Sequence, residues 1–113
     1  MRIEIKGRKV AVSDDLRRRV EQRFEKIARQ VSPLAELEVE LSEDRNRPVA
    51  ESQVAEVTLR LKGTSLRARE AASHHRSAIN AAADDLSRQL KRLKAKRSHR
   101  RDTAPTIATD IAL

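Results

Sequence analysis

With 113 residues, 25 Lys+Arg against 17 Asp+Glu and a single aromatic ring, the chain is short, basic and nearly ringless. That length suits one domain, which at this size buries roughly two-thirds of its unfolded surface. Zero cysteines exclude disulfides and thiolate metal sites and fit a reducing compartment. No apolar stretch approaches the roughly 20 residues that span a bilayer, and Arg2, Glu4 and Lys6 interrupt any secretory apolar region. A soluble, cytoplasmic protein without a membrane partner is the expectation.

The first element is a strand over residues 2–6, where Ile3 and Ile5 alternate with Arg2, Glu4 and Lys6. Gly7-Arg8-Lys9 punctuates it, and Val10 and Val12 lead to Ser13, an N-cap residue followed by Asp14 and Asp15 in a first helical turn. Leu16, Val20, Phe24, Ile27 and Val31 then recur at helical spacing, with Arg18, Arg19, Lys26 and Arg29 on the opposite side. Ser32-Pro33 ends this helix.

Leu37, Val39 and Leu41 alternate with Glu36, Glu38, Glu40 and Ser42, which gives a second strand with an acidic outer face. A loop over residues 44–48 follows. Ala55, Val57, Leu59 and Leu61 form a third strand, and Lys62-Gly63-Thr64 turns into a shorter one with Leu66 and Ala68 inward. A second helix starts near Ser73 and runs to about Lys96 or beyond on the stripe Ile79, Ala82, Ala83, Leu86, Leu90 and Leu93. Arg97 continues that stripe, so the helix should outrun the sheet. The order β-α-β-β-β-α predicts an α+β fold of two layers, a four-stranded and mostly antiparallel sheet with two helices packed on one face. Residues 1–97 form the domain, and residues 98–113 read as a basic-then-polar tail expected to be disordered.

The charge is concentrated. Residues 86–101 carry eight cations and no acid, which equals the net +8 of the whole chain. Eight unopposed cations on one helix repel one another and need a selecting partner, for which a polyanion is the natural choice. Arg88, Lys91 and Arg92 lie opposite the apolar stripe, with Lys94 and Lys96 on its flanks. Base stacking needs exposed rings, and the only ring belongs to the apolar stripe of the first helix. A ringless basic face should grip phosphates and read folded RNA by shape and charge. Arginine supplies 18 of the 25 cations, and its fork suits phosphate.

Catalytic, metal and cofactor readings find little support. His74 and His75 are adjacent and point about 100° apart on a helix, a poor joint metal site. Asp84 stands four residues before Arg88, so a helical ion pair worth roughly 0.3 kcal/mol accounts for it without an active site. Glu43-Asp44 reads as a solvated loop entry, and two glycines cannot make a phosphate-binding loop. No enzyme activity, cofactor or small-molecule substrate is expected.

Ile5-Lys6-Gly7-Arg8 with Val10, Val12-Ser13 and Leu16-Arg17 resembles the opening of the ribosome hibernation-promoting factors, the ribosome-associated inhibitor family. Ala55-Glu56-Val57-Thr58-Leu59, then Leu66 and Ala68, resembles its third and fourth strands, and Ala78-Ile79, Asp85-Leu86 and Arg88-Gln89-Leu90-Lys91 its second helix. The resemblance covers about residues 2–97 and rests on order and spacing together. It implies a non-enzymatic translation silencer of the stress response. The 113-residue chain looks like a short member or the N-terminal part of a long one and is expected to be a monomer as it stands. Such a protein sits on the small ribosomal subunit, in the channel for messenger and transfer RNA. The implied ribosomal-RNA contacts are Arg88, Lys91, Arg92, Lys94 and Lys96, with Arg18, Arg19, Lys26 and Arg29 on the first helix. Two other classes stay open: a protein-interaction regulator of the sigma-factor-modulator kind, using Glu36, Glu38 and Glu40 against a basic partner, and a generic double-stranded-RNA-binding module.

Overall fold

A computed structural model describes the backbone through Thr103 and the side chains through Arg97. Strand β1 (Arg2–Gly7) leads through helix α1 (Asp14–Ala28) to β2 (Glu36–Glu43), then β3 (Gln53–Leu61), β4 (Thr64–Ala72) and helix α2 (His75–Thr103). The sheet order is β1-β2-β3-β4. The helical crossover makes β1 and β2 parallel, whereas β2, β3 and β4 form an antiparallel meander. The α+β architecture expected from the sequence is therefore the one observed.

Register puts Ile3, Leu37, Leu59 and Leu66 in one inward row, and Ile5, Val39, Val57 and Ala68 in the next. Val20, Phe24 and Ile27 of α1 close over these rows, as do Ile79, Leu86 and Leu90 of α2, all fully buried. Each such side chain contributes about 1.5–3 kcal/mol relative to exposure. Ala78, Ala82 and Ala83 are also buried, and their small side chains let α2 lie close to the sheet.

Turn chemistry fixes the joins. Ser13 caps α1 by accepting the Leu16 N–H on its Oγ at 3.2 Å. The Gly7–Val10 turn brings the Val10 carbonyl so close that a Cβ on residue 7 has no room, and Lys9 takes the left-handed conformation (φ 57°). At the β3–β4 hairpin Gly63 supplies φ 81°. His75 donates its Nε2–H to the Ser42 carbonyl at 2.8 Å, tying the start of α2 to the end of β2.

Three boundaries differ from expectation. Strand β4 is not shorter than β3: nine residues pair along its whole length. Glu70 occupies an inward register position opposite Ala55, and that charged residue breaks the alternation that the sequence pattern relies on. Helix α1 ends at Ala28, before the Ser32-Pro33 stop, where the Gln30 N–H turns back to the Ile27 carbonyl at 2.9 Å. Helix α2 continues to Thr103, so the boundary expected at 97/98 falls inside a helix. Neither Gly nor Pro interrupts residues 75–103, and the run is rich in good helix formers. The disorder expected for the rest of the tail concerns residues 104–113, which lie outside the described residues.

Candidate nucleic-acid interface

The 29 residues of α2 span about 43 Å at 1.5 Å per residue. The nine residues of β3 or β4 span only about 30 Å. The helix is thus longer than the sheet on which it lies, as the continuation of its stripe by Arg97 predicted.

Both helices run in the same direction. Arg23 in α1 meets Asp84 in α2, and Gln30 just after α1 meets Lys94 farther along α2, so residue numbers rise together. Successive residues turn by about 100°, which places Arg19, Arg23 and Lys26 on the flank of α1 turned toward α2. The same geometry puts Asn80, Asp84, Lys91 and Lys94 on the flank of α2 turned toward α1. Cations of the two helices therefore line opposite rims of one shallow groove.

All nine candidate contacts lie on this helical layer, but their states differ. Lys91, Arg92 and Lys96 are exposed and have no carboxylate partner among the described residues, as are Arg18 and Lys26 on α1. Lys94 is half-buried and donates from Nζ to Gln30 Oε1 at 3.3 Å. Arg19 is half-buried on the groove side of α1. Arg29 pairs with Glu25 at 2.7 Å, which offsets part of its charge. Arg88 meets Asp85 at 3.8 Å, not Asp84 as its spacing suggested. The reason is that Asp84 turns toward α1, where Arg23 Nη2 lies 2.7 Å from its Oδ1.

Arg23 is the residue that sequence reasoning missed. Beyond Asp84, its Nη2 also donates to the Asn80 carbonyl at 3.4 Å. Its place one turn after Arg19 marks it as a flank residue, but no local pattern reveals a partner 61 positions away.

The open face of the sheet is electrostatically different. Lys6 lies 3.3 Å and Arg60 2.9 Å from Glu38, and Arg69 lies 3.6 Å from Glu56. The Glu38 carboxyl is held below its ordinary range by the hydrogen bond from Arg60 first and by Lys6 second. Arg2, Lys6, Arg60, Arg67 and Arg69 balance Glu4, Glu36, Glu38, Glu40 and Glu56 on that face. Two of the strand acids thus already have cationic partners within the domain. Phe24 is wholly buried, so it offers no stacking platform. Chemically, the exposed guanidinium and ammonium groups of the helical layer suit a polyanion. Among the described residues, no helix is long and apolar enough to cross a membrane.

These features define a small two-layer α+β domain with one cationic helical face. The chain belongs to the family described as Sigma 54 modulation protein / S30EA ribosomal protein, whose model matches residues 3–98. It is 31% identical over 97 residues to a ribosome hibernation promotion factor of Picosynechococcus sp., covering 85% of this chain. The chain spans about half the length (50%) of that curated relative. The N-terminal domain of Thermus thermophilus Protein Y superposes with a TM-score of 0.69 at 28% identity, covering 82% of this chain and 99% of that domain. A ribosomal subunit interface protein from Coxiella burnetii has the same fold, with a TM-score of 0.72 at 17% identity over 84% of this chain and 99% of its own.

Proposed function

We propose that this chain is a non-enzymatic, cytoplasmic hibernation factor that binds the small ribosomal subunit as a monomer and silences translation. In this reading residues 1–97 form the binding domain, and the helical layer occupies the channel for messenger and transfer RNA. Arg88, Lys91, Arg92, Lys94 and Lys96, with Arg18, Arg19, Lys26 and Arg29, contact ribosomal RNA phosphates. The observation that carries the reading is the exposure of Lys91, Arg92 and Lys96 without carboxylate partners among the described residues, on a domain of the S30EA ribosomal protein family. The names of its relatives, a ribosome hibernation promotion factor and a ribosomal subunit interface protein, support the choice of partner.

Phosphate gripping has a distinctive signature, because each neutralised phosphate releases counterions. With about six contacts, affinity for purified small subunits should fall roughly a thousandfold between 50 and 200 mM salt. Replacing Arg88, Lys91 and Arg92 together by glutamate should abolish co-sedimentation while leaving the thermal transition in place, since all three are exposed. Co-sedimentation unchanged by that triple replacement would refute the assignment of this surface.

A further inference from the structure

Asp84 is a carboxylate on the groove-facing flank of α2, and among the described residues of that helix it is the one exposed acid beside the exposed cations Arg76, Arg88, Lys91, Arg92 and Lys96. For a surface that only gathers charge, it is the wrong residue in the wrong place, since it repels the polyanion that its neighbours attract. Its surroundings give it a different task. Arg23 Nη2 holds it at 2.7 Å and at the same time reaches the Asn80 carbonyl at 3.4 Å, so one guanidinium grips two successive turns of the other helix. Arg23 Nε and Asn80 Oδ1 are both buried beside this contact.

The buried face of α2 sets the small residues Ala78, Ala82 and Ala83 among the fully buried Ile79, Leu86 and Leu90, so part of that face carries little interlocking shape. A directional charged contact adds a preference for one register, a modest one here because the two side chains are 35% and 62% exposed. The same contact sits between the two rims. Arg19 and Lys26 flank Arg23 at four and three residues, and Lys91 lies two turns beyond Asp84 on the same flank of α2.

We infer that Arg23 and Asp84 are positioning residues for RNA recognition: their ion pair biases α1 and α2 toward the register at which cations from both helices meet one array of phosphates. The inference rests on the ribosome-binding reading above and gives it a specificity element that does not itself touch the RNA. Shape recognition depends on the spacing of charges as well as on their number.

Charge and register have opposite consequences for one substitution. Asp84→Asn removes a negative charge from a surface that faces a polyanion, so electrostatics alone requires tighter binding. Loss of register requires weaker binding. The Asp84 side chain is 62% exposed, so asparagine fits without loss of packing. Binding to purified small ribosomal subunits is measured for the full chain, for Asp84→Asn and for Asp84→Glu across a salt series. Asp84→Asn is expected to weaken binding by roughly two- to fivefold, the upper part of the range for a partly exposed ion pair. Its salt slope should stay that of the parent, since no phosphate contact is lost, and Asp84→Glu should recover most of the affinity. Equal or tighter binding by Asp84→Asn would overturn the inference and leave the RNA-contact reading standing, and so would a weakened variant with a shallower slope. Absence of binding by the parent chain would overturn both.

Discussion

Glu38 lies near the middle of the open sheet face and has two cationic partners from two neighbouring strands, Lys6 on β1 and Arg60 on β3. Those partners favour the charged form, so the folded-state pKa lies below its unfolded value. A carboxyl shifted in this direction stabilises the fold fully above the unfolded pKa, and the contribution is lost as pH falls through the folded one. The parent chain should therefore melt at a higher temperature than Glu38→Gln at neutral pH, with the gap closing in the acid range below about 4.5. Thermal unfolding followed by circular dichroism across pH checks this, and a gap independent of pH would contradict it. The sequence placed Glu36, Glu38 and Glu40 on one outer face by alternation alone. It did not reveal which cations answer them, because Lys6 and Arg60 are brought there by parallel and antiparallel pairing between distant segments. Phe24 was legible throughout: its position in a helical stripe placed the only ring inside, where it is wholly buried.

At the scale of elements, α1 shows how few residues define a helix start. Ser13 satisfies the Leu16 N–H, and Asp14 and Asp15 face the positive end of the helix dipole. Ser13→Ala should cost about 1 kcal/mol. For a domain of this size that lowers the melting temperature by roughly 4–8 °C, measured by differential scanning calorimetry. Every strand and both α-helices were legible from periodicity; the errors gathered at their ends and at the short 3-10 helix Val49–Glu51, which the pattern did not show. A single Glu70 at an inward position hid the second half of β4. The serine-proline pair at residues 32–33 marked a latest possible stop for α1, whereas the chain leaves the helix earlier through the turn at Gln30. The far end of α2 lacks both an apolar period and a breaker, so the pattern gave no reason to continue the helix to Thr103 and none to stop it.

The molecule as a whole separates its charge into layers. The helical face keeps exposed cations, and the open sheet face pairs cation with acid. This division was legible because helical and strand periods decide which face each side chain occupies, and all nine candidate contacts fell on the expected layer. The relation between the helices was not legible. Arg23 and Asp84 meet only after the sheet has set both helices on one surface in the same direction, and a local reading assigned Asp84 to Arg88 instead. The absence of cysteine allows a direct test of which layer faces RNA. A hydroxyl-radical source can be tethered through Ser87→Cys on the exposed side of α2, or through Ser65→Cys on the open face of β4. With each derivative bound to purified small subunits, strand scission of ribosomal RNA is expected near the messenger and transfer RNA channel from position 87, with little from position 65. Strong cleavage from position 65 and none from position 87 would contradict the assignment of the helical layer to ribosomal RNA.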